Sequence, residues 1–318
     1  MQESFMKGLE LSRAFYETYG APMIEETFPQ VSHLIAVGLA GSGSECFGYD
    51  DEWSQDHDFE PGFCIFLPSE DVVDRGTAFA LERAYAKLPK TFMGFSRTPL
   101  SPVGGNRHGV IRIADFFCDK TGREDGCLSL RDWFSVPEQS LAEATNGLVF
   151  RDDYGLFSEM RGRLSYLPED VRRKKLAGHL ALMGQSGEYN YQRCMARGET
   201  EAASMAVGEF VKSALHAAFL LEKRYLPYYK WSFKALRELP TLSCLHQPLS
   251  RLLLLGGEKE KAKEKEELIA ELCQMLSSAA REQGLSAFEG ETMDGHARSV
   301  NDSIADPTVR NLHLLYGV

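Results

Sequence analysis

Strand and helix signals alternate through about residue 120, and helical patterns then dominate from Pro137 to about residue 285. Together these predict an α+β protein. A third observation sets the scale, because 318 residues with 43% hydrophobic content can fill the cores of about two domains. The expected layout is a small mixed α/β domain over residues 1–135, followed by an all-α helical bundle over residues 136–318.

Residues 3–18 carry Phe5, Leu9, Leu11, Ala14, Phe15 and Tyr16 at helical spacing, and the pattern ends near Gly20. Leu34 to Leu39 reads as a short apolar strand, and Phe63 to Leu67 as a second. Ser69-Glu70-Asp71 has the form of a helix start, and that helix runs to Leu88, where Pro89 stops it. After the Gly/Pro-rich loop Pro99 to His108, the run Val110 to Phe117 reads as a third strand. Beyond Pro137 almost no strand signal remains. Helices are expected over Glu169–Arg197, Glu199–Leu226, Trp231–Leu239, Leu249–Leu255 and Glu258 to about Arg281, with Pro227 ending the second. The tail from Gly290 onward carries no clear pattern.

The formal charge is −11, and the acid lies at the front of the chain. Residues 1–135 hold 12 Lys and Arg against 21 Asp and Glu, which leaves 23 against 25 for the remainder. That balance speaks against broad nucleic-acid binding, which needs a basic surface. No apolar run approaches the roughly 18 residues of a membrane span. The start of the chain also lacks the basic-then-apolar layout of a signal peptide, so a cytoplasmic protein with no membrane partner is expected. Seven cysteines, none spaced as Cys-x-x-Cys, fit free thiols and give no structural zinc motif.

The stretch Val37 to Leu67 carries the chemistry. Its turn Gly41-Ser42-Gly43-Ser44 follows the first strand, and glycines with adjacent hydroxyls can bring N–H and O–H donors close to an anion. Asp56-His57-Asp58 precedes the second strand, and carboxylates at i and i+2 on extended chain face one side, where they can share a divalent cation. Seven carboxylates and no Lys or Arg lie from Glu45 to Glu60, so an anionic substrate requires a cation there. An acidic turn before a strand is the plain alternative.

A Gly-Ser turn after a first strand, then a short interval and Asp-x-Asp, resembles the nucleotidyltransferase superfamily that includes DNA polymerase beta and the aminoglycoside nucleotidyltransferases. Asp56 to Phe63, Tyr189-Asn190-Tyr191-x-Arg193 and Pro227 to Trp231 are similar to a bacterial domain-of-unknown-function group within it. The resemblance covers most of the chain. It implies a nucleotidyltransferase-type mixed sheet with flanking helices, and Mg²⁺- or Mn²⁺-dependent transfer of a nucleoside monophosphate from a nucleoside triphosphate, ATP being the expected one, to a hydroxyl acceptor. Asp56 and Asp58 would be catalytic metal ligands, with Asp115 on the third strand as the third. Gly41, Ser42, Gly43 and Ser44 would hold phosphate. If Arg112 takes the position of the third carboxylate, the site binds nucleotide without turnover.

On the helical side Glu209 is the candidate general base, while Lys212, Tyr189 and Arg193 are candidates for the nucleotide; a wet helix face is the plain alternative. Glu209, Lys212 and His216 share one helix face. Tyr228, Tyr229 and Trp231 could stack on a base or pack in the core. The cluster Arg161, Arg163 and Arg172 to Lys175 could meet an anion or simply face water, and GEKEKAKEKEEL reads as a solvated helix. Partner-binding on the same fold, a toxin–antitoxin component and a homodimer are the remaining alternatives.

Overall fold

The computed structural model describes residues 6–55, 59–97 and 108–318. It is α+β and divides into two compact units, Met1–Ser129 with Ser140–Ser165, and Leu130–Gln139 with Tyr166–Val318. The division therefore differs from a single cut at residue 135. A strand, one whole helix and most of another downstream of the cut belong to the first unit.

The first unit is built on a four-stranded mixed sheet, with strands β1 (Ala36–Leu39), β2 (Cys64–Leu67), β5 (Gly109–Arg112) and β6 (Leu148–Asp152) in the order β5-β2-β1-β6. A separate ribbon pairs β3 (Thr91–Phe92) with β4 (Phe95–Ser96). Strand β2, Cys-Ile-Phe-Leu, is buried on both faces, as an apolar run without alternation should be. Ile65 and Leu67 join Phe15, Phe63 and Tyr85 on one face. On the other, Phe66 stacks on Phe157 with ring centroids 4.0 Å apart and packs edge-on to Phe116. The first face is covered by α1 (Gly8–Phe15), which continues through a π-helical turn, Tyr16–Gly20, into α2 (Ala21–Thr27), and by α3 (Arg75–Ala86). Asp74, not Ser69, caps α3, accepting from the Thr77 N–H at 3.0 Å.

Two expectations are corrected here. The run Val110 to Phe117 is only half strand, since α4 (Ile113–Thr121) begins directly after β5 and carries Asp115 in its first turn. Ile113, Phe116, Phe117 and Thr121 are its buried residues, the first three at i, i+3 and i+4, which is helical rather than strand spacing. β6 is a strand where none was expected. It is an edge strand, half-buried, and its Arg151 and Asp152 mask the apolar pattern.

The remaining helices are α5 (Leu130–Ser135), α6 (Glu138–Thr145), α7 (Leu156–Arg163), α8 (Glu169–Met183), α9 (Gln192–Arg197), α10 (Thr200–Leu221), α11 (Tyr229–Leu236), α12 (His246–Leu254), α13 (Ala262–Glu282), α14 (Met293–Asp302) and α15 (Pro307–Arg310). In the second unit α10 is the central rod, packed by α8, α12 and α13. Among the described helices it alone has the length and apolar composition of a membrane span, and twelve of its residues are buried within the bundle. A π-helical segment, Gly184–Tyr191, joins α8 to α9, and there Gly187 passes so close to α10 that a Cβ would sit 2.4 Å from the Phe210 ring. The tail that lacks a sequence pattern forms α14 and α15.

The basic run Arg172 to Lys175 faces inward, not toward water. Arg172 donates to the carbonyls of Leu220 at 2.7 Å and Leu221 at 3.3 Å, which closes the end of α10. Arg173 donates to the Ser303 carbonyl. Lys174, fully buried, donates to Asn301 Oδ1 at 2.7 Å and to the carbonyls of Arg310 and Leu312 at 3.1 and 2.7 Å. Lys175 donates to the Gly317 carbonyl at 3.1 Å. Lys174→Met keeps the apolar stem and removes all three donations. It should lower the unfolding free energy by about 2–4 kcal/mol in urea denaturation, because buried acceptors lose their partner. An unchanged midpoint would assign the hold on the tail to apolar packing instead.

Candidate functional site

The chain leaves β1 through Gly41 at φ +112° and Gly43 at φ +127°, a region that disfavours any side chain. Asn146 brackets Gly41, accepting from its N–H at 2.9 Å and donating to its carbonyl at 2.8 Å. Asn146 is held in turn by Arg161, which donates to the carbonyls of Thr145 and Asn146 at 2.6 and 2.7 Å. Ser42 donates to Glu143 Oε2 at 2.9 Å, and Lys120 Nζ lies 3.1 Å from Ser42 Oγ and 2.9 Å from the same carboxylate oxygen. Burial alone would lower the Lys120 ammonium, but hydrogen bonds to Glu143 and Asp119 outweigh it and hold the group above its ordinary value. The Gly41 N–H is thus already used by protein. Ser44 starts a 3-10 turn, its carbonyl accepting from the N–H groups of Phe47 and Tyr49 at 3.2 and 2.8 Å.

Gly41, Ser42, Arg112 and Asp115 share the wall of a cavity of about 430 Å³, together with Glu82, Asp119 and Lys120. Arg112 uses its guanidinium to hold the chain ahead of α3, donating to the carbonyls of Pro68 at 2.7 Å and Val73 at 2.8 Å. Asp115 does not stand on a strand. Strands β2 and β5 are parallel, pairing Cys64 with Gly109 and Leu67 with Arg112. Asp115 therefore follows the end of the pair remote from the segment that leads into β2. The residue next to that segment is His108, whose Nδ1 lies 3.1 Å from Glu60 Oε1. Asp56, His57 and Asp58 lie outside the described residues. Among the described residues no group of three or more His, Cys, Asp or Glu side chains could hold a metal ion.

The helical candidates belong to the second unit. Glu209 and Lys212 are exposed on α10 and line a cavity of about 950 Å³. Tyr189 and Arg193 pair with each other, the guanidinium 4.7 Å from the ring centroid and hydrogen-bonded to the hydroxyl. Tyr228 and Tyr229 are exposed, not core residues, and Trp231 lies between Lys230 and Lys234. Lys175, from the basic cluster, also lines this cavity, as do two residues that sequence reasoning missed, Glu138 and His179. Their signal was weak, since each is a single polar residue within a run of helix. Burial alone would raise the Glu138 carboxyl, yet His216 and Lys175 beside it hold it below its ordinary value. Burial first, then the charges of His216, Lys175 and Lys212, push His179 well below 6.5.

Residues 133–232 match the family model described as Domain of unknown function (DUF4037), a stretch that runs from α5 into α11 and contains Glu138, Lys175, His179, Lys212 and His216. This agrees with the kind of group the sequence resembles. Comparison with curated proteins gives no match. Among solved structures, the chain is similar to a nucleotidyltransferase-like protein from Exiguobacterium sibiricum 255-15, at 10% identity and a TM-score of 0.39, over 84% of this chain and 79% of that one.

Asn146→Ala removes both bonds to Gly41 and leaves its N–H without a partner, so thermal or urea unfolding should show a loss of about 1–3 kcal/mol. Full stability would show the turn to be self-supporting. His179 sets a pH dependence. Its folded value is depressed, so below its ordinary 6.5 the unfolded chain binds a proton that the folded chain refuses, and stability falls as pH falls through that window. The share due to ionised Glu138 is present above 4.5 and lost below it. Urea midpoints from pH 7 to 5 should fall, and His179→Phe should flatten the fall by up to about 1.4 kcal/mol per pH unit. Equal slopes in the two proteins would contradict this assignment.

Proposed function

We propose that the first unit binds a nucleoside triphosphate and transfers its nucleoside monophosphate to a hydroxyl acceptor. The observation that carries the reading is the antiparallel register of β1 and β2, which pairs Gly38 with Cys64. The turn that leaves β1 and the acidic chain that enters β2 consequently start from the same end of the sheet. In this reading the Gly41–Ser44 turn borders the phosphates, Lys120 supplies the nearby positive charge beside Ser42, and Asp56 and Asp58 hold a divalent cation. Mg²⁺ or Mn²⁺ there would offset the charge of the triphosphate against the surrounding carboxylates. No third carboxylate ligand is assigned, because Asp115 follows the far end of the strand pair.

A second reading is favoured by a specific observation: the Gly41 N–H is committed to Asn146, and Asp115 lies on a helix, so the unit could hold nucleotide without turning it over. One experiment separates the two. The full chain is incubated with each labelled nucleoside triphosphate, Mg²⁺ or Mn²⁺ and a panel of hydroxyl compounds, beside Asp58→Asn. Metal-dependent pyrophosphate release that falls at least ~100-fold in Asp58→Asn is the expected result for the transferase. Nucleotide binding without release would favour the second reading, and the absence of both would remove the nucleotide altogether.

A further inference from the structure

The helical unit has a cavity of about 950 Å³, near the upper size of sites that take small organic ligands. Every residue of its wall belongs to that unit. Phe134, Val136, Leu182, Val211, Leu215 and Phe233 make much of the wall apolar. Two imidazoles interrupt it. His179 of α8 and His216 of α10 lie parallel, with ring centroids 4.4 Å apart. His179 is only 5% exposed, and the Nδ1 atoms of both rings are buried without a hydrogen-bond partner. Among the described residues neither ring makes a hydrogen bond through Nε2 either. Packing alone would be served better by two apolar side chains, because ring nitrogens taken from water without partners are unfavourable.

The charges of the wall give a ligand no reason to be an ion. Its charged side chains are two of each sign, Lys175 and Lys212 against Glu138 and Glu209. The buried two are held by protein. Lys175 donates to the Gly317 carbonyl at 3.1 Å, while Glu138 accepts from the Leu226 N–H at 3.4 Å and has Oε1 3.6 Å from His216 Nδ1. Glu209 and Lys212, one of each sign, are exposed. A charged ligand would exchange its water for apolar surface with no unmatched counter-charge in reach, which is unfavourable. A hydroxyl suits the imidazoles, because it both donates and accepts and so meets a ring nitrogen in either tautomer. The Glu138 contact is longer than a hydrogen bond, yet a carboxylate there favours the proton of a neutral His216 ring on Nδ1, which leaves Nε2 to accept. Burial disfavours the charged form of His179, in keeping with a neutral ligand.

We propose that this cavity binds a neutral small organic alcohol or phenol, with its hydroxyl against the imidazoles of His179 and His216 and its apolar body against Val211, Leu215 and Phe233. The hydroxyl supplies the hydrogen-bond partner that the protein does not. The site lies wholly within the helical unit, and the proposal does not rest on the nucleotide reading of the first unit.

The test is equilibrium dialysis of the full chain at pH 7.5, where imidazole is ordinarily neutral. Four compounds share one ring system: 2-naphthol, its methyl ether, 2-naphthoate and 2-naphthylmethylamine. The naphthol should bind once per chain. The ether keeps the oxygen and loses the donor, so it should bind roughly 3- to 10-fold more weakly, as the loss of one hydrogen bond implies. The carboxylate and the ammonium should each bind at least ~10-fold more weakly than the naphthol. The double variant His179→Phe with His216→Phe keeps two stacked rings and should bind naphthol and ether equally, and Val211→Trp, which fills the cavity, should exclude the naphthol. The proposal is overturned if the naphthol does not bind, if the ether or either charged compound binds as tightly, if the double variant keeps the preference for the hydroxyl, or if Val211→Trp leaves naphthol binding intact. Should a variant fail to fold, the four compounds on the wild-type chain decide alone.

Discussion

Four consecutive basic residues on α8 hold the helical unit together through carbonyl groups, with Glu169 as a shared counter-ion for the first two. The ends of helices leave carbonyls without partners, and a tail with short helices leaves many. Arg172, Arg173, Lys174 and Lys175 take these up one after another, from the end of α10 to Gly317. A buried cation is costly in an apolar interior, and here several carbonyl dipoles replace the lost water. The same run brings Lys175 beside the imidazole pair, so the scaffold also contributes to the field in the cavity.

In the first unit the governing constraint is the Gly41 turn. Its backbone geometry excludes side chains, and Asn146, 105 residues away, fixes it from outside. Ser42, Lys120 and Glu143 then form one network beside it. A turn that looks in sequence like an open cradle is in fact largely tied up by protein, and Lys120 gives it a compensated positive charge that the acidic flank alone would not suggest.

The first two strands were legible in the sequence because Val37 to Leu39 and Ile65 to Leu67 are apolar runs bounded by turn residues. The long helices were legible from their apolar faces. What failed did so for physical reasons. Strand β6 earns its place by pairing with β1 across more than a hundred residues, which no local pattern encodes. Helix α4 follows β5 without a break, so a largely apolar run, interrupted only by Arg112 and Asp115, concealed the change from period 2 to period 3.6. Of the candidate site residues, Gly41, Ser42, Arg112 and Asp115 do meet around one cavity, as do Glu209 and Lys212 around another. The imidazole pair was not legible, since it depends on two helices presenting single histidines to each other at 4.4 Å.

The π-helical segment Gly184–Tyr191 gives the rod from Glu169 to Arg197 two phases. A wider turn retards the angular advance of the chain, so residues beyond it no longer continue the face set before it. His179, upstream, lines the cavity, while Tyr189 and Arg193 pair with each other. One continuous helix thus presents two differently directed faces, His179 toward the cavity and Arg193 with Tyr189 toward solvent, and the π-helical segment sets the angle between them.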